Sequence, residues 1–324
     1  MREFVHEAMP AAQARRARFA AGPALETVIG LYALTCGETG VSGLSPELSQ
    51  AIAAVGEQSS ELWLHLLGLA LERPDDVAAA VRATPAAELR RHLVGLHVPA
   101  WREVAGVEAL EATARGDDSL LDHDRYYAGR ARASLELLLP LTAAETKRRV
   151  LAVLELYRDE VLDHDAVVEL EREADARNAL AGTASELIAA VVPGYHYVPE
   201  PELPDVVLVP HRAARPWLLL CQHDRMRIVC YAIPTAEEVE DRHVALGRAL
   251  ADAQRVRMLL RLAAGEATLA ELAELTRLAK STAHHHLAQL RAAGLVEMHG
   301  NARGYRFTLS RAGLATASSL LQSV

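Results

Sequence analysis

Cysteine and long apolar runs are both scarce in this chain of 324 residues. Its cysteines are Cys36, Cys221 and Cys230, an odd count without a Cys-x-x-Cys pair, which excludes a disulfide framework and is typical of a reducing compartment. No apolar run reaches the roughly 18 residues of a membrane span, and the N-terminus lacks a basic segment followed by an apolar one. We therefore expect a cytoplasmic protein without a membrane partner.

Aromatic residues make up only 4% of the chain, and lysine is nearly absent, with Lys147 and Lys280 among 34 basic residues. β-Branched residues are few outside one stretch, whereas alanine, leucine, arginine and glutamate, which favour helices, are abundant. With 51% apolar and 24% charged residues, the chain is globular rather than disordered. Its length suits about two or three domains, and its composition predicts a mainly α protein.

The signatures of common enzyme sites are also missing. The chain contains no Gly-x-Gly-x-x-Gly after a strand, no P-loop, no Gly-x-Ser-x-Gly and no His-Glu-x-x-His. Cys36, in Thr35-Cys-Gly-Glu38, fits a buried small residue better than a reactive thiol. We therefore predict neither an enzyme nor a cofactor. An enzyme within residues 1–200 would require a deep pocket with convergent ionisable groups.

The chain is acidic overall, with a formal net charge of −9, which taken alone argues against a nucleic-acid partner. However, the charge is unevenly distributed. Residues 245–324 contain ten Lys or Arg and five Asp or Glu, a net charge of +5, so residues 1–244 carry −14. Because the C-terminal segment is basic, the overall negative charge does not exclude a nucleic-acid partner. The acidic remainder of the chain is expected to face away from the nucleic acid.

Residues 1–200 are predicted to form successive helices with clear start and stop signals. Ser45-Pro46 places a capping residue before a proline at the first helical position. Thr142–Glu145 and Thr183–Glu186 are capping boxes, in which a hydroxyl and a carboxylate each satisfy a backbone N–H. Pro193-Gly194 ends the last of these helices. The sequence therefore predicts a helical N-terminal domain over residues 1–200.

The hydrophobic pattern changes over residues 201–234. Three short β-rich runs follow one another, at Asp205–Pro210, Arg215–Gln222 and Arg227–Ile233. Because short polar segments separate them, we expect a three-stranded antiparallel β-meander. A sheet this small needs a partner layer, so we expect it to pack on the preceding helices.

Residues 235–324 return to a helical pattern that ends in a hairpin. Capping boxes at Thr235–Glu238 and Thr268–Glu271 mark two helix starts. The predicted elements, in order, are helices Ala245–Ala264, Thr268–Arg277 and Ser281–Ala293, strands Leu295–His299 and Tyr305–Leu309, and a last helix from Ser310 towards Val324. This order is that of a C-terminal winged helix-turn-helix domain.

The helix at Ser281–Ala293 has the pattern of a DNA-reading helix. One face carries three apolar residues that we expect to pack on the two preceding helices, Ala283, Leu287 and Leu290. The other face is polar and short-chained near its N-terminus, as suits contacts with base edges and phosphates. Lys280 lies at that N-terminus, where its charge and the backbone N–H groups can meet phosphate. The predicted DNA-binding residues of this helix and of the hairpin are Lys280, Ser281, Thr282, His284, His285, Gln289, Arg303 and Arg306.

Two histidine patterns could suggest a metal site. His284, His285 and His286 are consecutive, so they point about 100° apart on a helix and cannot converge on one ion; His286 lies beside the buried face. The Asp-His-Asp sequences at 122–124 and 163–165 could supply ligands only if they met in space. We therefore predict no metal site.

Four motifs of the C-terminal quarter carry a family resemblance: Ala249-Leu-Ala-Asp-Ala-Gln-Arg-Val-Arg-Met-Leu-Leu260, Thr268-Leu-Ala-Glu-Leu-Ala273, Lys280-Ser-Thr-Ala-His-His-His-Leu287 and Leu290-Arg-Ala-Ala-Gly-Leu-Val296. In combination they resemble the winged-helix domain of the ArsR/SmtB-type (arsenic-repressor-like) family of bacterial transcription regulators. The resemblance implies a homodimeric repressor that binds a palindromic operator on double-stranded DNA and releases it when an effector binds.

The chain departs from this family at its metal-sensing positions. Metal sensors of the family carry two cysteines on the helix before the recognition helix, where this chain has Thr268 and Ala270. Other members use acidic residues and histidines on the final helix, and residues 311–324 contain neither. The expected effector is therefore an organic small molecule and not a metal.

The upstream region is more loosely similar to a subgroup of the family with a long helical N-terminal domain. We expect this acidic domain to dimerise and to bind the effector, since aromatic-lined clefts between helices are common ligand sites. The aromatic residues that could line one are Trp63, Trp101, Tyr126, Tyr127, Tyr157, Tyr195 and Tyr197. The alternative is that they are ordinary core and surface residues, and the sequence does not define a pocket. The predicted function is a homodimeric DNA-binding repressor. The alternative is a winged-helix protein-interaction module without direct DNA binding, which the basic charge disfavours.

Overall fold

The computed structural model describes residues 16–36, 43–122, 132–233, 242–301 and 304–315. Its N-terminal part is built from mostly short helices, as the composition predicts. They are α1 (Pro23–Thr35), α2 (Pro46–Val55), α3 (Ser60–Leu64), α4 (Leu67–Glu72), α5 (Val77–Ala83), α6 (Ala86–Leu93), α7 (Pro99–Ala105), α8 (Val107–Ala114), α9 (Arg132–Leu138), α10 (Ala143–Glu160), α11 (His164–Asn178) and α12 (Ala184–Val191). Within the described ranges, no helix is both long and apolar enough to cross a membrane.

The predicted capping residues in the described part of the chain begin their helices, although at Thr142 only the hydroxyl caps, because the Glu145 carboxylate pairs with Arg148 and Arg149. The hydroxyl of Ser45 accepts from the Leu48 N–H at 3.0 Å, with proline at the first position of α2. Thr183 and Glu186 form the reciprocal box at the start of α12. The central helix of this region is α1, whose side chains are buried along almost its whole length. The box at Thr235–Glu238 lies outside the described residues.

A four-stranded sheet packs on the helices, and its topology corrects the predicted antiparallel meander. The strands are β1 (Arg16–Phe19), β3 (Asp205–His211), β4 (Leu219–His223) and β5 (Met226–Ala232), in the order β1-β3-β5-β4. Only β4 and β5 form the expected antiparallel hairpin; β3 runs parallel to both β5 and β1. The reason is that β3 is buried from Val206 onwards, as is typical of a central strand covered on both faces.

The two faces of this sheet belong to different cores. Val207, Val209 and Ile228 point into the core formed with the N-terminal helices. Val206 and Leu208 point into a second core, which contains residues of α12 and of the C-terminal domain. The sheet is therefore a middle layer between the helical region and the C-terminal domain, and not only a cover for the preceding helices.

The C-terminal domain has the predicted winged helix-turn-helix order. Its elements are α13 (Arg242–Leu250), α14 (Ala253–Ala263), α15 (Leu269–Thr276), α16 (Lys280–Ala292), β6 (Val296–Asn301) and β7 (Gly304–Leu309). The single helix expected at Ala245–Ala264 is divided, because the Asp252 carboxylate caps a new helix by accepting from the N–H groups of Gln254 and Arg255. Residues 311–315 are helical, and the remainder of the predicted last helix lies outside the described residues.

The wing, which is the hairpin of β6 and β7, pairs with a third strand that was not predicted from the sequence. This strand, β2 (Tyr195–Tyr197), pairs in parallel with β6, with His196 opposite His299. The Val198 N–H donates to the Gly300 carbonyl at 3.0 Å and extends the contact. The chain leaving α12 is thereby bonded to the wing.

Candidate nucleic-acid interface

The predicted DNA-reading helix is α16, which begins at Lys280. Its apolar face is buried as the periodicity predicts and packs α16 against α14 and α15 through Ala283, Leu287 and Leu290. The N-cap residue, Ala279, makes no side-chain cap hydrogen bond. The first N–H groups of α16 are therefore left for other acceptors, and a phosphate is a fitting one.

The first turn of α16 faces solvent. Lys280 and Thr282 are exposed, and Ser281 is half-buried. The Lys280 ammonium and the two hydroxyl groups thus lie together at the positive end of the helix dipole. This end of the helix can meet a DNA backbone without any rearrangement of the protein.

The second turn of α16 lies against protein. The imidazole rings of His284 and His285 lie 4.8 and 5.5 Å from the indole of Trp217, measured between ring centroids. Gln289 is within hydrogen-bond distance of the His285 ring at 2.7 Å, and its amide oxygen accepts from Arg255. These three predicted base-reading side chains are therefore brought together, but their partners are protein groups.

The residues that cover α16 belong to the β3–β4 loop (residues 212–218). On the helix, Ala288 is buried in the core of the N-terminal helices. Arg291 donates to the Pro216 carbonyl at 3.3 Å, and burial lowers the pKa of its guanidinium to about 10, so it is still charged at neutral pH. The covered face includes the positions expected to approach base edges.

The β3–β4 loop is anchored on α1 and on β3. The buried carboxylate of Glu26 accepts from the backbone N–H groups of Arg212 and Ala213, at 3.1 and 2.7 Å. Burial raises the pKa of Glu26 from 4.5 to about 7, against the opposing effect of these hydrogen bonds. At the other end, the His211 ring is 3.2 Å from the Trp217 carbonyl oxygen. The helical domain thus holds the loop in place over α16.

The wing places its polar side chains in different environments. Arg306 is exposed and forms an ion pair with Glu266 at 3.2 Å. Arg303 lies outside the described residues. The Asn301 amide donates to the Val198 carbonyl at 3.1 Å, which fixes the hairpin tip to the segment after β2. Arg306 is therefore the described wing residue with a charge available to DNA, provided that it leaves Glu266.

The aromatic residues that could line an effector cleft are distributed between the two cores in the described part of the chain. Trp63 and Tyr157 are buried in the first core, and Tyr195 and Tyr197 in the second. Trp101 is half-buried, and its indole N–H points to His65 Nε2 at 3.3 Å. Tyr126 and Tyr127 lie outside the described residues. The aromatic residues serve mainly as core, and they do not identify an effector pocket.

The two Asp-His-Asp sequences are not shown to meet. His123 and Asp124 lie outside the described residues, whereas Asp163 caps α11 by accepting from the Ala166 N–H at 3.0 Å. His286 is half-buried on α16, with Nδ1 3.3 Å from the Arg255 guanidinium. That position beside the buried face is the one expected from the periodicity.

Trp217, whose ring lies against His284 and His285 of α16, was not among the functional residues predicted from the sequence. Its sequence context, Arg-Pro-Trp-Leu-Leu-Leu-Cys-Gln, has the composition of a strand, and the strand itself begins only at Leu219. No local signal could reveal the contact, because Trp217 and His284 are far apart in the chain and meet through the packing of two domains.

Together, α14, α15, α16 and the β6–β7 wing define a winged helix-turn-helix domain, a class of DNA-binding module. Residues 252–298 match the family model of bacterial regulatory proteins of the arsR family. HlyU from Vibrio cholerae N16961 is 31% identical over 26% of this chain and 95% of its own, with a TM-score of 0.22. The chain belongs to the ArsR family of bacterial transcription regulators through this domain.

Two further solved structures are similar over about a quarter of the chain. The homodimeric winged helix-turn-helix domain Mb0332 from Mycobacterium bovis, a possible ArsR-family regulator, is 26% identical over 28% of this chain and 85% of its own, with a TM-score of 0.23. The transcriptional repressor BigR from Xylella fastidiosa is 25% identical over 28% of this chain and 95% of its own, with a TM-score of 0.21. A comparison with curated proteins found no match.

Proposed function

We propose that this chain is a repressor that binds a palindromic operator as a homodimer, with one α16 from each protomer in the major groove. The observation that carries the proposal is the exposed first turn of α16, where Lys280, Ser281 and Thr282 lie beside uncapped backbone N–H groups. The homodimeric Mb0332 domain and the repressor BigR support the dimer and the direction of control.

The β3–β4 loop gives the helical domain a means of control. His284 and His285 reach base edges only after Trp217 leaves them, so the covered arrangement corresponds to a form with weakened DNA binding. Because Glu26 on α1 holds the loop, a ligand that displaces α1 would also displace the loop. We assign residues 1–200 to effector binding and dimerisation, residues 201–234 to the sheet that connects them with DNA binding, and residues 235–324 to the DNA-binding domain. The effector in this proposal is an organic small molecule.

The test is DNA binding by the full-length chain, measured by fluorescence anisotropy on fragments of its own promoter at several salt concentrations. Each phosphate contact contributes about 0.9 to the slope of log affinity against log salt. Lys280→Ala should therefore weaken binding to all sequences alike and reduce the slope by about 1. The matched control is Arg148→Ala, which removes one positive charge from an exposed position on α10 and should change neither value.

One observation favours a second candidate, a winged-helix module that binds protein. In the described conformation, α16 already contacts protein through His284, His285 and Ala288. If the native chain binds no promoter fragment at low salt, and Lys280→Ala and Trp217→Ala bind none either, this candidate replaces the proposed repressor.

A further inference from the structure

Three imidazole rings that are distant in the sequence lie together at one edge of the helical domain. His92 is on α6, His97 follows α6, and His223 ends β4. The centroid of the His97 ring lies 4.2 Å from that of His92 and 5.2 Å from that of His223. A carboxylate flanks each side, Glu88 one helical turn before His92 and Asp224 at the hairpin turn. We call Glu88, His92, His97, His223 and Asp224 the histidine cluster.

Backbone contacts hold the parts of the histidine cluster in position. The Asp224 N–H donates to the His97 carbonyl at 2.7 Å, so the hairpin turn is bonded to the segment after α6. Asp224 itself is left-handed, with φ 47°, a conformation that aspartate tolerates better than most residues. The His223 ring lies on Gly68, where a Cβ atom would be only 2.2 Å from the ring. The backbone bond and the absence of a side chain at Gly68 thus fix the positions of His97 and His223.

The hydrogen bonds of His97 divide its two ring nitrogens between two roles. Nε2 is 3.0 Å from a Glu88 carboxylate oxygen, and Glu88 is held in turn by Arg91 at 2.9 Å. A proton on Nε2 leaves the lone pair of Nδ1 free on the side of Asp224, whose carboxylate oxygen is 3.4 Å away. Carboxylate, histidine and open nitrogen in this order form the outer-shell arrangement that orients a metal-binding imidazole.

The remaining ligand atoms lie on the same side. His223 Nε2 is 3.8 Å from the second oxygen of Asp224, and the ligand atoms of His97, His223 and Asp224 all lie within 4.8 Å of one another. Ligands of a tetrahedral ion stand roughly 3.3 Å apart when the bonds are about 2.0–2.1 Å long. The His97 ring is 24% exposed, and a tilt of this ring would bring the ligand atoms closer to that spacing.

We propose that the histidine cluster binds one Zn²⁺-class divalent ion through His97 Nδ1, His223 Nε2 and the Asp224 carboxylate. Imidazole nitrogens with one carboxylate suit zinc and its neighbours, whereas Mg²⁺ and Ca²⁺ prefer ligand sets made of oxygen. Asp224 is half-exposed, so the fourth position is open to water. Buried His92 forms the inner wall, and its Nδ1 has no hydrogen-bond partner. Glu88 is a positioning residue that acts through His97.

This site is separate from the metal-sensing positions of the ArsR family, where this chain has Thr268 and Ala270 in place of cysteines. It lies between α6 and the β4–β5 turn, outside the winged-helix domain, and it is independent of whether the chain binds DNA. A second group of potential ligands, His196, Glu297 and His299, lies at the pairing of β2 with β6. The His196 side chain is 53% exposed there. That group provides a matched control within the same molecule.

The test is metal binding by the full-length chain after removal of metal with a chelator. Zn²⁺ is measured by equilibrium dialysis with elemental analysis, and its affinity by competition with a chromophoric chelator; Co²⁺ reports the geometry through its visible absorption. We expect one Zn²⁺ per chain. His97→Gln should weaken binding by more than ~100-fold, because loss of an outer-shell partner alone costs about 10–100-fold. Glu88→Gln should weaken Zn²⁺ binding by about 10–100-fold, and His196→Gln should bind Zn²⁺ with the affinity of the native chain.

Circular dichroism checks that each variant is folded. If His97→Gln does not fold, Asp224→Asn, at the half-exposed hairpin turn, is the variant on which the proposal is judged, with the same expected loss. The proposal is overturned if the native chain binds no Zn²⁺. It is equally overturned if His196→Gln abolishes binding while His97→Gln or Asp224→Asn retains it.

Discussion

The proposed covering of α16 predicts that removing the indole of Trp217 increases the affinity of the full-length chain for promoter DNA. Trp217 is buried in the β3–β4 loop, and its ring contacts the rings of His284 and His285 on α16. Trp217→Ala deletes both contacts and leaves every residue of α16 in place. The change therefore alters the covering of the DNA-binding face without altering the face itself.

The expected gain follows from the two ring contacts. Aromatic pairs contribute roughly 0.5–1.5 kcal/mol each beyond their buried area, so their loss favours the uncovered form by about 1–3 kcal/mol. Since about 1.4 kcal/mol is a factor of ten, the uncovered fraction can rise by ~5–150-fold, and apparent affinity rises with that fraction until it saturates. The Arg291–Pro216 hydrogen bond remains, so the gain should lie in the lower part of this range.

The assay is fluorescence anisotropy with a labelled fragment of the chain's own promoter at one fixed salt concentration. Truncation of a buried tryptophan costs about 3–5 kcal/mol of stability, so Trp63→Ala, in the helical core, is the control for destabilisation. Trp217→Leu keeps apolar volume in the loop, and it serves if Trp217→Ala is unfolded. A folded Trp217 variant that binds DNA no more tightly than the native chain, or an equal increase in Trp63→Ala, would refute the proposed covering of α16.

Two further predictions concern stability and are checked by urea unfolding. Because burial raises the pKa of Glu26 from 4.5 to about 7, the folded chain holds this proton more tightly than the unfolded chain, and the free energy of unfolding falls as pH rises between these values. Glu26→Gln should remove that dependence, so the free energy of unfolding of the variant, measured relative to that of the native chain, should be higher at pH 8 than at pH 5 by up to ~3 kcal/mol. Parallel plots of unfolding free energy against pH for the two proteins would contradict this. Glu200 and Arg227 form a two-bond ion pair with almost no exposure. Glu200→Ala should cost about 3–5 kcal/mol, whereas Glu136→Ala, in an exposed pair, should cost less than ~1 kcal/mol; equal losses would count against the argument.

Local sequence signals were sufficient for the order of the elements in the C-terminal domain, but not for the division of its first helix at Asp252 or for the pairing of β2 with the wing. The capping box at Thr268–Glu271, the apolar spacing along α16 and the glycine at Gly294 each act over a few residues. Such signals fix where a helix begins, which face it buries and where it ends. The polar first turn of α16 was predictable for the same reason.

The elements that were not predicted from the sequence depend on contacts with residues far along the chain. β1 and β2 have only four and three residues, and each is a strand because it pairs with a strand from another part of the chain. The parallel pairing of β3 with β5 follows from burial on both faces, which a short apolar run does not distinguish from a hairpin. The histidine cluster likewise joins α6 to the turn after β4, so no spacing rule could detect it.

The most direct test of DNA recognition by α16 is the selection of bound sequences from random DNA by the full-length native chain and by His285→Ala. A homodimer that places two copies of α16 in the major groove predicts an inverted repeat, with half-sites about 10–10.5 base pairs apart or a multiple of that spacing. His285→Ala should enrich the same spacing with blurred base preference within each half-site. Enrichment of no sequence, or of an identical motif by both proteins, would contradict recognition through α16.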